Sequence, residues 1–403
     1  MRLKVKWFVF ILALGVSVTL LYMFASRGPN LEPFYAPLTR TNASTTKKLI
    51  VSWTSFFDIA LDDKYLDNCP ELRQNCTLTV NRSLFAQADA IVFHPRNLEW
   101  TDLPPRRSFD QRYVFIMHES PPHTCIDLDR ILNFFNWSLT YRLDSDIPFP
   151  YTYLGHVPSA RQELDAAAIL NKSSHHASIV WLVSNCWTHS ERELYVEVLK
   201  QYIPIDIYGK CGSLKCPKVL SNGYLAGKSK CEDMIDKEYK FYIAFENSIC
   251  KDYVTEKYYS RREYNSVPLV LSRSVAEPLF PPNSFIAADD FPEGPRQLAE
   301  YLRYLESNDT AYLEYFQWKA IGYGWLGYYP KTGLQFGFCG LCQKLWQLEN
   351  AEVTKSYESA DAWWGEKASC DANLVRRLVA EELAANPILA KRHPPWSSRP
   401  ICG

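Results

Sequence analysis

The chain has 403 residues, 47% of them hydrophobic and 14% aromatic, which excludes a disordered protein and exceeds what one ordinary core holds, so two domains are expected. Its 44 basic and 45 acidic residues leave a net charge of -1. No global field favours nucleic acid, and an anionic ligand must be held by local charges.

At the N-terminus, Arg2, Lys4 and Lys6 precede an uncharged apolar run from Trp7 to Ala25. At about 1.5 Å rise per residue that run spans a bilayer, and it exceeds the roughly 7–15 apolar residues of a cleaved signal peptide. Basic flanks stay cytoplasmic. Residues 1–6 therefore read as a cytoplasmic tail, 7–25 as a single-pass type II signal anchor, and the rest as lumenal. Residues 26–47, with Gly28, Pro29, Pro33, Pro37 and the run "TNASTT", read as a stem without a core. Sequons at Asn42, Asn75, Asn81, Asn171 and Asn308 agree with a lumenal setting. A sixth, at Asn136, follows Phe134-Phe135 and is expected to be buried.

Next come "KKLIVSW", "DAIVFHP" and "RYVFIMHES", continuous apolar runs of the kind found in parallel strands covered on both faces. They define an N-terminal Rossmann-like domain at 48–175. A second such domain is expected at 176–348. There "ASIVWLVSN" is a strand, Ser190 and Glu193 form a capping box, and Leu194, Val198, Leu199 and Tyr202 mark a helix. "PIDIYG" and "KFYIAF" are strands, a helix is expected from Asp252 to Tyr264, and the strand "VPLVLS" follows. "RQLAEYLRYLES" is an amphipathic helix. This alternation predicts an α/β fold with doubly wound parallel sheets, the two domains facing a cleft. Residues 349–403 read as a tail stapled through Cys370 and Cys402. Twelve cysteines suit an oxidising lumen. Cys339 and Cys342 read first as disulfide-forming cysteines; the alternatives are half a zinc site, although no second CxxC or nearby His pair completes four ligands, and redox chemistry. Cys250 is the candidate for a free thiol.

Ligands of open α/β sheets bind at the carboxyl ends of strands. Ser184 and Asn185 end one strand; Glu246, Asn247 and Ser248 end another. Helix starts follow both, and their free N–H groups favour phosphate. Arg192 lies at one and Lys257 at the other, so the pair suits a diphosphate. In a helix from Asp252, Tyr253 would share a face with Lys257, and Asp252 with Glu256. Such acids accept hydrogen bonds from sugar hydroxyls. Simpler readings stand beside these: a solvated helix face for Glu256 and Lys257, a surface pair for Arg192, packing for Tyr253. Neither a Walker loop nor GxGxxG is present. "DSD" at Asp144 to Asp146 imitates a metal-binding DxD, but such triplets arise by chance, as at Asp127 to Asp129. Glu119 ends the strand "RYVFIM"; on its own it reads as a turn-capping carboxylate beside His118 or His123.

The stretch "FYIAFENSICKDYVTEKYY" resembles the donor-binding signature of α1,3-fucosyltransferases, inverting enzymes that use GDP-β-L-fucose. "HESPPHT", "FNWSLTYRLDSDIPFPY", "WLVSNCWTHSERELYVEVL", "SFIAADDF" and "AYLEYFQWK" resemble family segments in the expected order. The resemblance implies a GT-B type fold with the donor on the C-terminal domain. It implies that Arg192 and Lys257 hold the diphosphate, that Asn247, Tyr253, Glu256 and Glu246 serve the ribose, phosphate or fucose, and that Ser184 and Asn185 line the nucleotide. Glu119 is then the catalytic base. On the same resemblance no metal is expected to be required, a divalent cation at most stimulating the reaction. It also implies that Cys69 and Cys76 each bond one of Cys339 and Cys342. The expected acceptor is the 3-hydroxyl of N-acetylglucosamine in glycoprotein or glycolipid glycans, and the expected setting is the Golgi membrane. The chain departs from the family pattern at "YYSRREYNSVP" and at Ser272-Arg273. Two rivals remain: a glycan-binding protein that has lost catalysis, and an inverting transferase for another nucleotide sugar.

Overall fold

Strands without polar alternation need cover on both faces, and the first sheet is built that way. In the computed structural model, residues 47–67, 69–70, 72–151, 154–156, 160–173, 177–215, 220–221, 224–225, 235–259, 264–325, 333–347 and 355–396 are described. Six parallel strands run in the order Cys76–Thr79, Lys48–Ser52, Ala90–Phe93, Arg112–Met117, Trp137–Thr140, Ile147–Pro148. Every residue of Arg112–Met117 is buried. A second parallel sheet has the order Ile286–Ala287, Val267–Val270, Phe241–Ile243, Ile179–Leu182, Ile205–Tyr208. Its earliest strand, Ile179–Leu182, lies between the next two in the chain. The crevice between Ile179–Leu182 and Phe241–Ile243 is therefore a topological switch point, where loops part in opposite directions. One apolar cluster joins the sheets, running from Val51, Phe93 and Phe115 to Tyr242, Tyr253 and Tyr258.

Two local expectations give way. Ser190 does not cap the helix Arg192–Leu199: Glu191 precedes it at φ 52°, and Glu193 turns back to Thr188 instead, accepting from its N–H at 3.1 Å and its hydroxyl at 2.8 Å. The Ser190 hydroxyl donates to the Glu246 carbonyl at 2.6 Å, so it joins strand ends rather than opening a helix. The helix expected from Asp252 begins at Glu256, and its described span is Glu256–Tyr259. Asp252 stands at φ 61°, a left-handed conformation that no right-handed helix contains. Its carboxylate accepts from the Leu143 N–H of the first sheet's loops at 3.0 Å.

Disulfides join Cys69 to Cys339, Cys76 to Cys342, Cys186 to Cys211 and Cys250 to Cys370. Cys250 is thus not the free thiol expected, because a distant stretch of chain brings Cys370 against it. The helix Gly333–Trp346, which the expected boundaries assign to the second domain, packs on the first sheet. Its Phe338, Leu341 and Leu345 join Ile50, Val114 and Leu139 in one cluster. At Gly337 an added Cβ would come within 3.1 Å of the Leu139 and Phe149 side chains, which would have to give by a few tenths of an ångström to admit it.

Residues 355–371 form a strap between the sheets. Tyr357 donates to Asp146 at 2.6 Å, and the Trp364 indole donates to Thr124 at 2.7 Å while packing on Phe115 and Tyr141. Beyond Cys370, the Asp371 N–H donates to the Ile249 carbonyl at 2.8 Å. Val375, Val379 and Leu389 of the following helices then enter the second sheet's core. The expected anchor, all of the stem but Lys47, Asn42 and Cys402 lie outside the described residues. Among the described residues no helix is long and apolar enough to cross a membrane.

Candidate active site

Glu119 leaves the carboxyl end of Arg112–Met117 just before the 3-10 turn Pro121–His123, whose prolines stiffen the loop. Glu119 is half-buried between buried His118 and Ser120. Its Oε2 accepts from the Tyr253 hydroxyl at 2.9 Å and from Asn247 Nδ2 at 3.3 Å. Alongside, the Ser120 hydroxyl donates to Ser248 Oγ at 2.7 Å. A carboxylate of the first sheet is thus gripped by the loop of the second. His118 does not partner it. That ring stacks between Phe149 and Tyr151, meets the Phe149 carbonyl at 3.0 Å, and is pushed down to about 4 by burial, so it stays neutral.

Across the switch point, Phe241–Ile243 runs into Glu246. Its carboxylate accepts from the Thr255 N–H at 2.8 Å and from the Thr255 hydroxyl, and it pairs with Lys257 Nζ at 2.8 Å. Lys257 also lies 3.4 Å from Glu256 and donates to Thr255 Oγ1 at 2.7 Å. Burial raises the Glu246 pKa, with Lys257 opposing. For Glu256 burial pushes up, but Lys257 together with hydrogen bonds from the residue's own backbone and from Thr255 outweighs it, and the pKa falls. Burial would lower Lys257, and the two carboxylates outweigh that, so the ammonium is held charged.

Arg192 is 4% exposed. Its guanidinium donates to the Phe245 carbonyl at 2.5 Å and to the Asn185 carbonyl at 3.3 Å, bridging the two strand ends at the switch point. Its Nε has no hydrogen-bond partner among the described residues. Burial lowers its pKa, with Glu246 opposing. Ser184 and Asn185 are exposed at the lip of the crevice. The structure therefore gathers Glu119, Asn247, Tyr253, Glu246, Glu256, Lys257 and Arg192, while Ser184 and Asn185 border them. Tyr253 and Lys257 meet the site without sharing a helix face, since the helix starts between them.

Thr255, in sequence only one of the polar residues crowding that stretch, holds both Glu246 and Lys257; its place just ahead of "EK" at a helix start was the available signal for that role. The Ser120–Ser248 contact had none, its partners lying 128 residues apart. Both acids of "DSD" are consumed by structure. Asp144 is bound by Arg142 at 2.7 Å and Lys251 at 3.0 Å. Asp146 accepts from Ser138 and Tyr357 and pairs with Lys355. Among the described residues no group of three or more His, Cys, Asp or Glu could hold a metal ion. Asn136 is 5% exposed, its amide accepting from the Tyr113 N–H and donating to the Lys355 carbonyl. Asn81 and Asn171 are exposed and Asn75 is half-buried. The Asn308 amide caps a helix through the Ala311 N–H and donates to the Tyr304 hydroxyl.

Residues 45–152 match the family described as "Fucosyltransferase, N-terminal", and residues 172–363 match "Glycosyltransferase family 10 (fucosyltransferase) C-term". An alpha-(1,3)-fucosyltransferase of Caenorhabditis elegans, fut-1, is 34% identical over 345 residues, covering 84% of this chain and 74% of the relative. A 3-galactosyl-N-acetylglucosaminide 4-alpha-L-fucosyltransferase of Bos taurus, FUT3, is 34% identical over 313 residues, covering 74% and 78%. A crystal structure of an alpha1,3-fucosyltransferase with GDP-fucose superposes with TM-score 0.45 at 15% identity, over 77% of this chain and 94% of that one.

Proposed function

The chain belongs to glycosyltransferase family 10, the fucosyltransferases, and from that premise we propose that it transfers L-fucose from GDP-β-L-fucose, with inversion, to the 3-hydroxyl of N-acetylglucosamine in a glycan. The observation that carries this reading is the grip of Asn247 and Tyr253 on Glu119. It sets one carboxylate against the loop that the donor signature supplies.

In the reaction Glu119 takes the proton of the attacking hydroxyl as its oxygen closes in line on the fucose anomeric carbon, and GDP leaves from the opposite face. Base assistance contributes about 10²–10⁴-fold. Arg192 and Lys257 stabilise charge developing on the diphosphate, which is the larger contribution in a site of fixed dipoles. Lys257 begins paired with Glu246 and Glu256, so the donor phosphate exchanges for a carboxylate partner as it enters. Asn247, Tyr253 and Glu256 serve ribose, phosphate or fucose, and Ser184 and Asn185 border the nucleotide. No metal is needed where two side-chain cations neutralise the leaving group. The two sheets correspond to the halves of a GT-B architecture.

The test is incubation of the full-length chain with GDP-fucose and defined glycans, the linkage being read by NMR. The reading expects a new α1,3 bond to N-acetylglucosamine and competition by GDP but not by UDP or CMP. A bond to the 4-hydroxyl, the position in the bovine relative's name, would correct the regiochemistry. The proposed setting is the Golgi lumen behind a type II anchor. Protease added to sealed microsomes then spares everything after residue 26, and digestion of the large domain refutes that topology.

A further inference from the structure

The last described residues of the tail end beside the cleft. Trp396 lies with its ring centroid 6.4 Å from His123 and 5.9 Å from His189, edge-on to both. His123 stands four residues beyond Glu119 on the first sheet's loop, and His189 lies on the loop leading to Arg192. The indole therefore sits between loops from both sheets. Polar anchors put it there. The Trp396 N–H donates to Glu191 at 2.8 Å, and Glu191 pairs with Arg376 at 2.7 Å. Arg376 donates to the His393 carbonyl at 2.5 Å, and the His393 ring meets Glu197 at 2.8 Å. Among the described residues the indole is part of none of the three apolar clusters, and it is half-buried.

Beneath it, His123 Nε2 and His189 Nδ1 are buried without hydrogen-bond partners among the described residues. His189 is 9% exposed. The fold leaves this polar capacity unused, at a cost. Burial pushes His189 down to about 4, and it lowers His123 as well despite Glu119 nearby. Both rings are therefore neutral near pH 7, each with one donor and one acceptor nitrogen. An aromatic ring flanked by neutral donor–acceptor groups suits the apolar face and hydroxyls of a sugar.

We propose that Trp396, with His123 and His189, forms a carbohydrate subsite for the hexopyranose ring next to the fucosylated residue of the acceptor glycan. The proposal rests on the fucosyltransferase reading above. It assigns the subsite to the acceptor rather than the donor because a base must reach an acceptor hydroxyl, so the neighbouring rings of that glycan lie against the loop carrying Glu119 and His123. The indole tilts from its edge-on position as the sugar enters, and the sugar hydroxyls take up the histidine nitrogens.

Calorimetry on the full-length chain tests this with a biantennary N-glycan ending in N-acetylglucosamine as the probe, in the presence of GDP. Trp396→Ala should lose at least about tenfold in glycan affinity, the usual scale for truncating an aromatic anchor, while GDP affinity stays at the parent value. Trp396→Phe should stay within about threefold of the parent, an aromatic face being retained. Equal glycan affinity in parent and Trp396→Ala overturns the subsite. A parallel fall in GDP affinity also overturns it, since Trp396 is then only a brace. Trp396-dependent glycan binding in a parent chain that releases no GDP from GDP-fucose supports the subsite and refutes the transferase reading instead.

Discussion

In the proposed reaction Glu119 and Lys257 are the side chains on which the chemistry turns, and each should fail in its own way when altered. In Glu119→Gln the amide oxygen still accepts from Tyr253 and Asn247, so the fold and donor affinity should persist. Transfer should fall by about 10²-fold or more, because an amide takes no proton. Turnover near the parent rate would make Glu119 a structural residue. Lys257→Ala removes the partner of two carboxylates, of which Glu246 is the more buried. The loss should be a few kcal/mol of stability, discounted because Glu256 is partly exposed, together with weaker GDP-fucose binding. Adding Glu246→Gln should restore the melting temperature but not the donor affinity, which separates the two losses. Lys257→Arg should rescue only in part, a planar fork replacing a compact charge. Unchanged donor affinity in Lys257→Ala would remove this lysine from the donor site.

At the level of the element, the segment from Ile249 to Val254 decides whether Tyr253 reaches Glu119. It turns through left-handed Asp252, is tied to Cys370, and is held by Lys251, which pairs with Asp144 and donates its N–H to the Ala368 carbonyl. Asp252→Asn keeps a residue that tolerates this backbone, and should cost little. Asp252→Val combines a β-branched side chain at positive φ with loss of the hydrogen bond from Leu143, and should cost about 2–3 kcal/mol in denaturant unfolding. Equal midpoints for the two variants would show that the turn is not strained. The Cys250–Cys370 bond closes 120 residues. Replacing both by serine should cost about 5 kcal/mol in the chain-entropy account, which is model-dependent. Transfer should fall with it, because the strap positions Tyr253.

Over the whole molecule, buried histidines set the response to acid. His94, His118 and His189 are each lowered from 6.5 to about 4, burial being the main cause. A histidine whose folded pKa is depressed binds its proton more readily when unfolded. Stability is therefore complete above pH 6.5 and declines as pH falls toward 4, by at most roughly 3 kcal/mol per histidine. Melting temperature measured from pH 7.5 to 4.5 should drop below 6.5, and a flat profile would contradict the burial of these rings. Unfolding should also be one cooperative event, because Cys69–Cys339, Cys76–Cys342 and the strap at 355–371 lock the chain's late segments to its first sheet.

Strands were legible because their signal is local: "RYVFIM" has no polar face, and a run of that kind is stable only inside a parallel sheet. The candidate donor cluster was legible for a related reason, since Glu246, Asn247, Tyr253, Glu256 and Lys257 crowd one short stretch where few folds need them. What stayed hidden depends on partners far away in the chain. The cap at Ser190 looked right by spacing, yet its hydroxyl bonds the Glu246 carbonyl, 56 residues on. The helix was expected to start at Asp252, but a hydrogen bond from Leu143, 109 residues earlier, coincides there with a backbone conformation that no right-handed helix allows. Cys250 carried no mark of its partner, and nothing local assigned the tail to the cleft. Periodicity reports which faces of a segment are apolar; it holds no information on which distant group satisfies a buried polar atom, and in this protein those satisfactions shape the site.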